Sequence, residues 1–76
     1  MRDVQLEWLA AEVMAGLPSD EARAAVQDLC AEVAACPEQW PAPGGEEIAD
    51  DFGAWCWISY VAYAAGLEVR DVGWAR

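Results

Sequence analysis

The sequence predicts an all-α protein: a small three-helix bundle with a buried central helix and an extended C-terminal tail. Three observations lead there. Residues 52–65 read FGAWCWISYVAYAA without a single charge, a run too long for an ordinary strand and short of the ~20 apolar residues that span a bilayer. Glu46, Glu47, Asp50 and Asp51 precede this run and Gly66 follows it, the polarity of a helix whose positive end favours carboxylates and whose last turn is closed by glycine. Gly16-Leu17-Pro18 and Ser19-Asp20-Glu21 supply a stop and a start that divide the N-terminal half into two shorter helices.

In chain order, Asp3 is the expected N-cap of a first helix ending near Ala15. It carries two apolar stripes, Leu6, Leu9, Val13 and Leu17 on one side and Val4, Trp8, Ala11 and Ala15 on the other. One stripe faces the core, and the other meets a second element or exposes Trp8 to a partner. Ser19 caps a second helix that Pro37 stops at Cys36. Its apolar seam is narrow, Ala22, Val26, Leu29 and Val33, so it packs on one side only. Glu21, Asp28 and Glu32 share a flank of that helix with no basic partner one turn away.

Residues 37–45, PEQWPAPGG, read as a loop, with Trp40 plugging one end of the bundle. The central helix then covers residues 46–65, with Ile48, Phe52, Trp55, Ser59 and Ala62 on one face and Trp57, Tyr60, Val61 and Ala64 on the other. A helix apolar all round is enclosed by others. After Gly66 the segment LEVRDV alternates apolar and charged residues, which argues for extended structure. In a helical chain it has no sheet to join, so it is expected to lie on the bundle or pair across a dimer.

The chain forms one domain, residues 1–76, near the lower size at which a single core holds without disulfides or metal. Five Trp, two Tyr and one Phe enrich that core, each large ring burying roughly 150–250 Å². Cys30, Cys36 and Cys56 form no CxxC pair and there is no His to complete a zinc site, so reduced thiols are expected. Arg2 and Asp3 after Met1, with Glu7 and Glu12 breaking the early apolar residues, do not make a secretory leader. Sixteen alanines with no Lys or Asn suit a GC-rich bacterial or phage genome. Together these place the protein in the cytoplasm of a bacterial host cell.

Chemistry narrows the function by what is missing. The net charge is −10, set by fourteen acids against Arg2, Arg23, Arg70 and Arg76. Such a chain repels nucleic acid and anionic membranes and steers toward basic partners. There is no His for proton transfer and no Lys for a Schiff base. Besides the tyrosines, the hydroxyls are Ser19, assigned to a cap, and Ser59, inside the apolar run. No cation sits near a cysteine to lower its pKa, so an enzyme is not expected. The EExxDD acids place oxygen ligands one turn apart, but the EF-hand pattern and the Glu-x-x-His pair of di-iron bundles are absent. Neither a metal site nor a cofactor is expected.

What remains is binding to a protein. Acidic rows spaced at one or two helical turns imitate phosphates on a Lys- and Arg-rich surface. In charge, size and its EExxDD and Glu21, Asp28, Glu32 rows, the chain resembles small acidic phage and bacterial inhibitors of the anti-CRISPR, anti-restriction and nuclease-immunity types. That resemblance implies a non-catalytic inhibitor engaging a basic, nucleic-acid-binding surface of a partner by nucleic-acid mimicry. The expected contact residues are Glu21, Asp28, Glu32, Glu46, Glu47, Asp50, Asp51 and Trp8. The alternative is a small structural or homo-oligomeric subunit, a homodimer for instance, that uses its aromatic surplus as an apolar interface.

Overall fold

The computed structural model describes residues 3–76, and at Asp3 the backbone alone. Met1 and Arg2, on which part of the leader reading rests, lie outside the described residues. The architecture is α/β: β1 (Asp3–Leu6), α1 (Trp8–Ala15), α2 (Asp20–Ala34), a single 3-10 turn (Pro37–Gln39), β2 (Ala49–Phe52), β3 (Cys56–Tyr63) and β4 (Gly66–Trp74). The four strands form one mixed sheet in the order β1-β4-β3-β2, with β1 parallel to β4 and the other neighbours antiparallel. This overturns the all-α expectation.

The central helix over residues 46–65 does not form. Its uncharged run is Phe52 at the end of β2, a turn over Gly53, Ala54 and Trp55, all of β3, and Ala64 and Ala65 in the turn to β4. The physical reason lies in residue type and period. Trp57, Ile58, Tyr60, Val61 and Tyr63 are aromatic or β-branched, side chains that lose rotamer freedom in a helix and suit a pleated surface. Cys56, Ile58, Tyr60 and Ala62 alternate onto one face and are all buried, whereas Trp57, Ser59 and Tyr63 take the other. An interior strand covered by a helix needs no charge on its buried face, so the absence of charge did not distinguish the two structures.

The extended tail is also corrected: residues 66–74 form β4, the strand between β1 and β3. Its register shifts where Ser59 pairs with Asp71 but Tyr60 with Val69, leaving Arg70 as an extra residue. This bulge lets Val69 and Val72, three positions apart, both face the core. On the far side, the Arg70 Nε–H donates to Glu68 Oε1 at 2.9 Å.

The first helix starts later than expected. Asp3 belongs to β1, and Glu7 is the N-cap of α1, its carboxylate accepting from the Leu9 N–H at 3.4 Å. Neither expected stripe is the buried one: α1 buries Ala10 and Met14, packing chiefly on β4, and leaves Trp8, Leu9 and Val13 exposed. Ser19 does cap α2, its hydroxyl accepting from the Ala22 N–H at 3.1 Å. The seam Ala22, Val26, Leu29 and Val33, joined by Cys30, is buried against the sheet. Arg23 ties the two helices, donating to the Leu17 carbonyl at 3.0 Å and to Asp20 at 2.6 Å, which satisfies a carbonyl just past the end of α1.

Trp40 closes one end of the core as a loop plug. Its indole N–H donates to the Val33 carbonyl at 2.7 Å. The chain then returns to the sheet: Gly44 bridges to Tyr63, and Gly45, with φ of 75°, packs under the Tyr63 ring. A side chain at Gly45 would be strained by its backbone and would meet that ring. All three cysteines are free thiols.

Candidate partner-binding surface

The two acidic rows read from the sequence take different structural forms. Glu21, Asp28 and Glu32 lie exposed along α2, over about 16 Å of helix at 1.5 Å per residue. Glu21 sits in the first turn, where the helix dipole favours it. Asp28 and Glu32 sit in the second half, one turn apart, and the last turn holds no base. Neither has an ion-pair partner among the described residues.

Glu46, Glu47, Asp50 and Asp51 do not form a helical cluster. Glu46 and Glu47 are exposed in the loop between the Gly44 bridge and β2. Asp50 and Asp51 are consecutive on β2, a sheet edge, and so point to opposite faces. Asp50 accepts from the Ser59 hydroxyl at 2.5 Å, across the pair it makes with β3. Asp51 Oδ1 accepts from the Phe52 N–H at 2.9 Å, which occupies an edge donor and discourages pairing by a foreign strand. The helical spacing behind the phosphate-mimic argument therefore holds for the α2 row alone. Among the described residues, no three of His, Cys, Asp and Glu are grouped as could hold a metal ion.

The fold does bring part of one row to part of the other. Glu32 of α2 and Asp51 of β2 line the same pocket, about 200 Å³, together with Trp40 and Tyr60. Beside it runs a groove of about 320 Å³ between α2 and the β2–β3 turn, lined by Glu21, Asp28 and Glu32 on one wall and Trp55 and Trp74 on the other. Arg76 of the same chain already uses this chemistry. Its guanidinium lies 5.7 Å from the Trp55 ring centre and 3.6 Å from Glu21 Oε1, a cation held by an aromatic face and a carboxylate.

Trp8 stands apart from both rows. It is 66 % exposed at the start of α1, next to Leu9 and near Val13 one turn on. Tyr60 and Trp40 are the site residues that sequence reasoning missed as such. Tyr60 was legible only through strand alternation, which pairs it with Ala49 and points it toward α2. Among the described residues no helix is long and apolar enough to cross a membrane. No protein-family model, curated protein or solved structure matches the chain.

Proposed function

We propose that this protein is a non-catalytic inhibitor that binds a basic, nucleic-acid-binding surface of a partner in the bacterial cytoplasm, as anti-defence proteins that mimic nucleic acid do. One observation carries the reading. Asp28 and Glu32 are like charges one turn apart, in the half of α2 toward its negative end, and among the described residues no base pairs with either. Both relationships disfavour the folded helix, and Asp51 adds a third carboxylate across the pocket from Glu32. A basic partner turns each of these costs into attraction. The groove that seats Arg76 against Trp55 and Glu21 supports the same reading, since it accommodates a cation inside the chain.

The test is affinity capture from a bacterial host with mass spectrometry of the retained protein, followed by a salt series on the purified pair. Two variants accompany it, Asp28→Asn with Glu32→Gln, and Glu46→Gln with Glu47→Gln, Asp50→Asn and Asp51→Asn. The reading expects at least one set to bind more than about tenfold more weakly, ~1.4 kcal/mol, and affinity to fall steeply with ionic strength. Equal binding by both variants at every salt concentration sinks it.

A second reading rests on the exposed Trp8, Leu9 and Val13 of α1, an apolar surface suited to a homodimer. Sedimentation at high micromolar concentration separates the two: a monomer there removes self-association through α1, while a salt-insensitive dimer favours it.

A further inference from the structure

The pocket between α2 and β2 contains a feature that surface charge does not explain. Tyr60 is only 3 % exposed, it lines the pocket, and its hydroxyl has no hydrogen-bond partner among the described residues, where no side-chain oxygen or nitrogen is both fully enclosed and unpartnered. The hydroxyl is therefore the part of a buried side chain that opens onto the pocket, where it can bond a group that enters. The Tyr60 phenol is shifted toward its protonated form, by burial first and by the negative charge of Asp51 second. Its oxygen is therefore neutral and can accept beside Asp51, in a pocket that Glu32 also lines. Among the described residues, Asp51 commits Oδ1 to the Phe52 N–H while its other oxygen accepts no hydrogen bond, and the Glu32 carboxylate has no ion-pair partner. Trp40 supplies an aromatic wall. Three oxygen acceptors, two of them anionic, beside an indole define a receptor for a cation with several N–H donors.

We infer that this pocket receives one cationic side chain of the partner, an arginine or a lysine, between the Glu32 and Asp51 carboxylates with Tyr60 accepting from its N–H. The inference rests on the binding mode proposed above and specifies where a single basic residue anchors. Arginine is the better match. Its planar guanidinium carries five donors, is more weakly hydrated than an ammonium, and stacks on aromatic faces. The pocket, about 200 Å³, has room for one such head, and desolvated anchors in pockets dominate interface energetics.

The purified protein tests this without the partner. Blocked tripeptides carrying arginine, lysine or citrulline at the centre are titrated into ¹⁵N-labelled protein to millimolar concentration. Amide shifts at Glu32, Asp51 and Tyr60 are followed. Arginine is expected to shift these residues and bind more tightly than lysine, while citrulline, the neutral isostere, does not bind. Tyr60→Phe keeps the ring and the core and is expected to weaken arginine about three- to tenfold, the range for one hydrogen bond. Asp51→Asn is expected to weaken it further.

Shifts that fall only along Glu21 and Asp28, equal binding by citrulline and arginine, arginine binding untouched by both substitutions, or no shift at all would each overturn the pocket. None of these results bears on the broader reading, which stands or falls on the captured partner and its response to the two acidic variants. Arginine bound in the pocket, with a captured partner indifferent to the acidic variants, keeps the site and removes the mimicry.

Discussion

The indole of Trp57 lies against Gly73, its pair on β4, so closely that a Cβ at that position would collide with the ring. Glycine in a strand weakens it through entropy and the lack of a side chain to pack. Here the neighbouring ring fills that gap on the face of the sheet away from the core. Gly73→Ala is therefore expected to cost about 1–3 kcal/mol, the range for forcing extra atoms into a packed site. Urea unfolding measures it, with Gly44→Ala as a control, because nothing lies within 4 Å of a Cβ there. In a Trp57→Ala background the same methyl is expected to cost much less, and a cost unchanged by removing the ring would show that the contact is not its source.

A second prediction concerns the uncharged run, where a buried central helix makes Phe52, Trp55 and Ile58 equally critical. The sheet separates them. Ile58 is fully buried, whereas Phe52 is 70 % and Trp55 52 % exposed. Ile58→Ala is expected to cost about 2–5 kcal/mol. Phe52→Ala loses chiefly its cross-strand contact with Trp57, worth roughly 0.2–1 kcal/mol. Equal shifts of the unfolding midpoint for the two would contradict the strand assignment.

These residues show where the sequence was legible. Ser19, Asp20 and the Ala22 to Val33 seam specify α2 through local signals, a cap and a 3.6-residue period, and the structure follows them closely. LEVRDV signals extended structure through its alternation, but its parallel partner, Val4 to Leu6, lies at the other end of the chain, and its antiparallel partner, Ile58 to Tyr63, though it immediately precedes it, carries helix-like signals of its own, so neither reads as a strand. The alternation within CWISYVAY was masked because Val61 and Trp57, on the outward face, are apolar too. A two-residue period is visible only when one face is polar. The candidate site suffered similarly: Glu21, Asp28 and Glu32 fall where helical spacing puts them, but the meeting of Glu32 with Asp51 depends on a strand packing beside a helix.

The thiols give a pH-dependent prediction. Cys30 is buried, and burial first, then the nearby Cys56, raises its pKa from 9.0 to about 11. Between those values the unfolded chain releases the proton and the folded chain keeps it, so the unfolded state binds fewer protons and stability falls as pH rises. Below pH 9 this contribution is fully present. Unfolding free energy is expected to decline from pH 9 to 11 more steeply in the parent than in Cys30→Ala. Above pH 10 Tyr60, also raised, adds a decline common to both. A thiol reagent under native conditions should modify the partly exposed Cys36 first, with Cys30 and Cys56 reacting only on unfolding. Since all three are free, reductant is expected to leave the unfolding temperature unchanged, and a clear drop would reveal a disulfide.

The last prediction sets stability against binding on the same residues. With Glu46 and Glu47 in a loop and Asp50 and Asp51 on a strand, no helix dipole rewards their charge, and the expectation that they stabilise a helix start is withdrawn. The α2 row is different. Relieving the repulsion between Asp28 and Glu32 by Asp28→Asn and Glu32→Gln is expected to raise the unfolding free energy slightly, about 0.2–0.5 kcal/mol for the one-turn pair. The gain should shrink as added salt screens the parent's charges. A solvated surface with no further role has no reason to keep such a pair, whereas a surface built to meet lysines and arginines has one. The same double variant is then expected to associate more slowly with a basic partner through Asp28, a peripheral charge that acts mainly on the approach, and to dissociate faster through Glu32, which lines the pocket. If Asp51→Asn is compared beside it, its effect should fall on dissociation, since that carboxylate faces the pocket. Stability raised together with slower association and faster dissociation marks Asp28 and Glu32 as a binding surface held at a cost to the fold, and a variant that is stabilised yet associates and dissociates at the parent's rates assigns them to solvent alone.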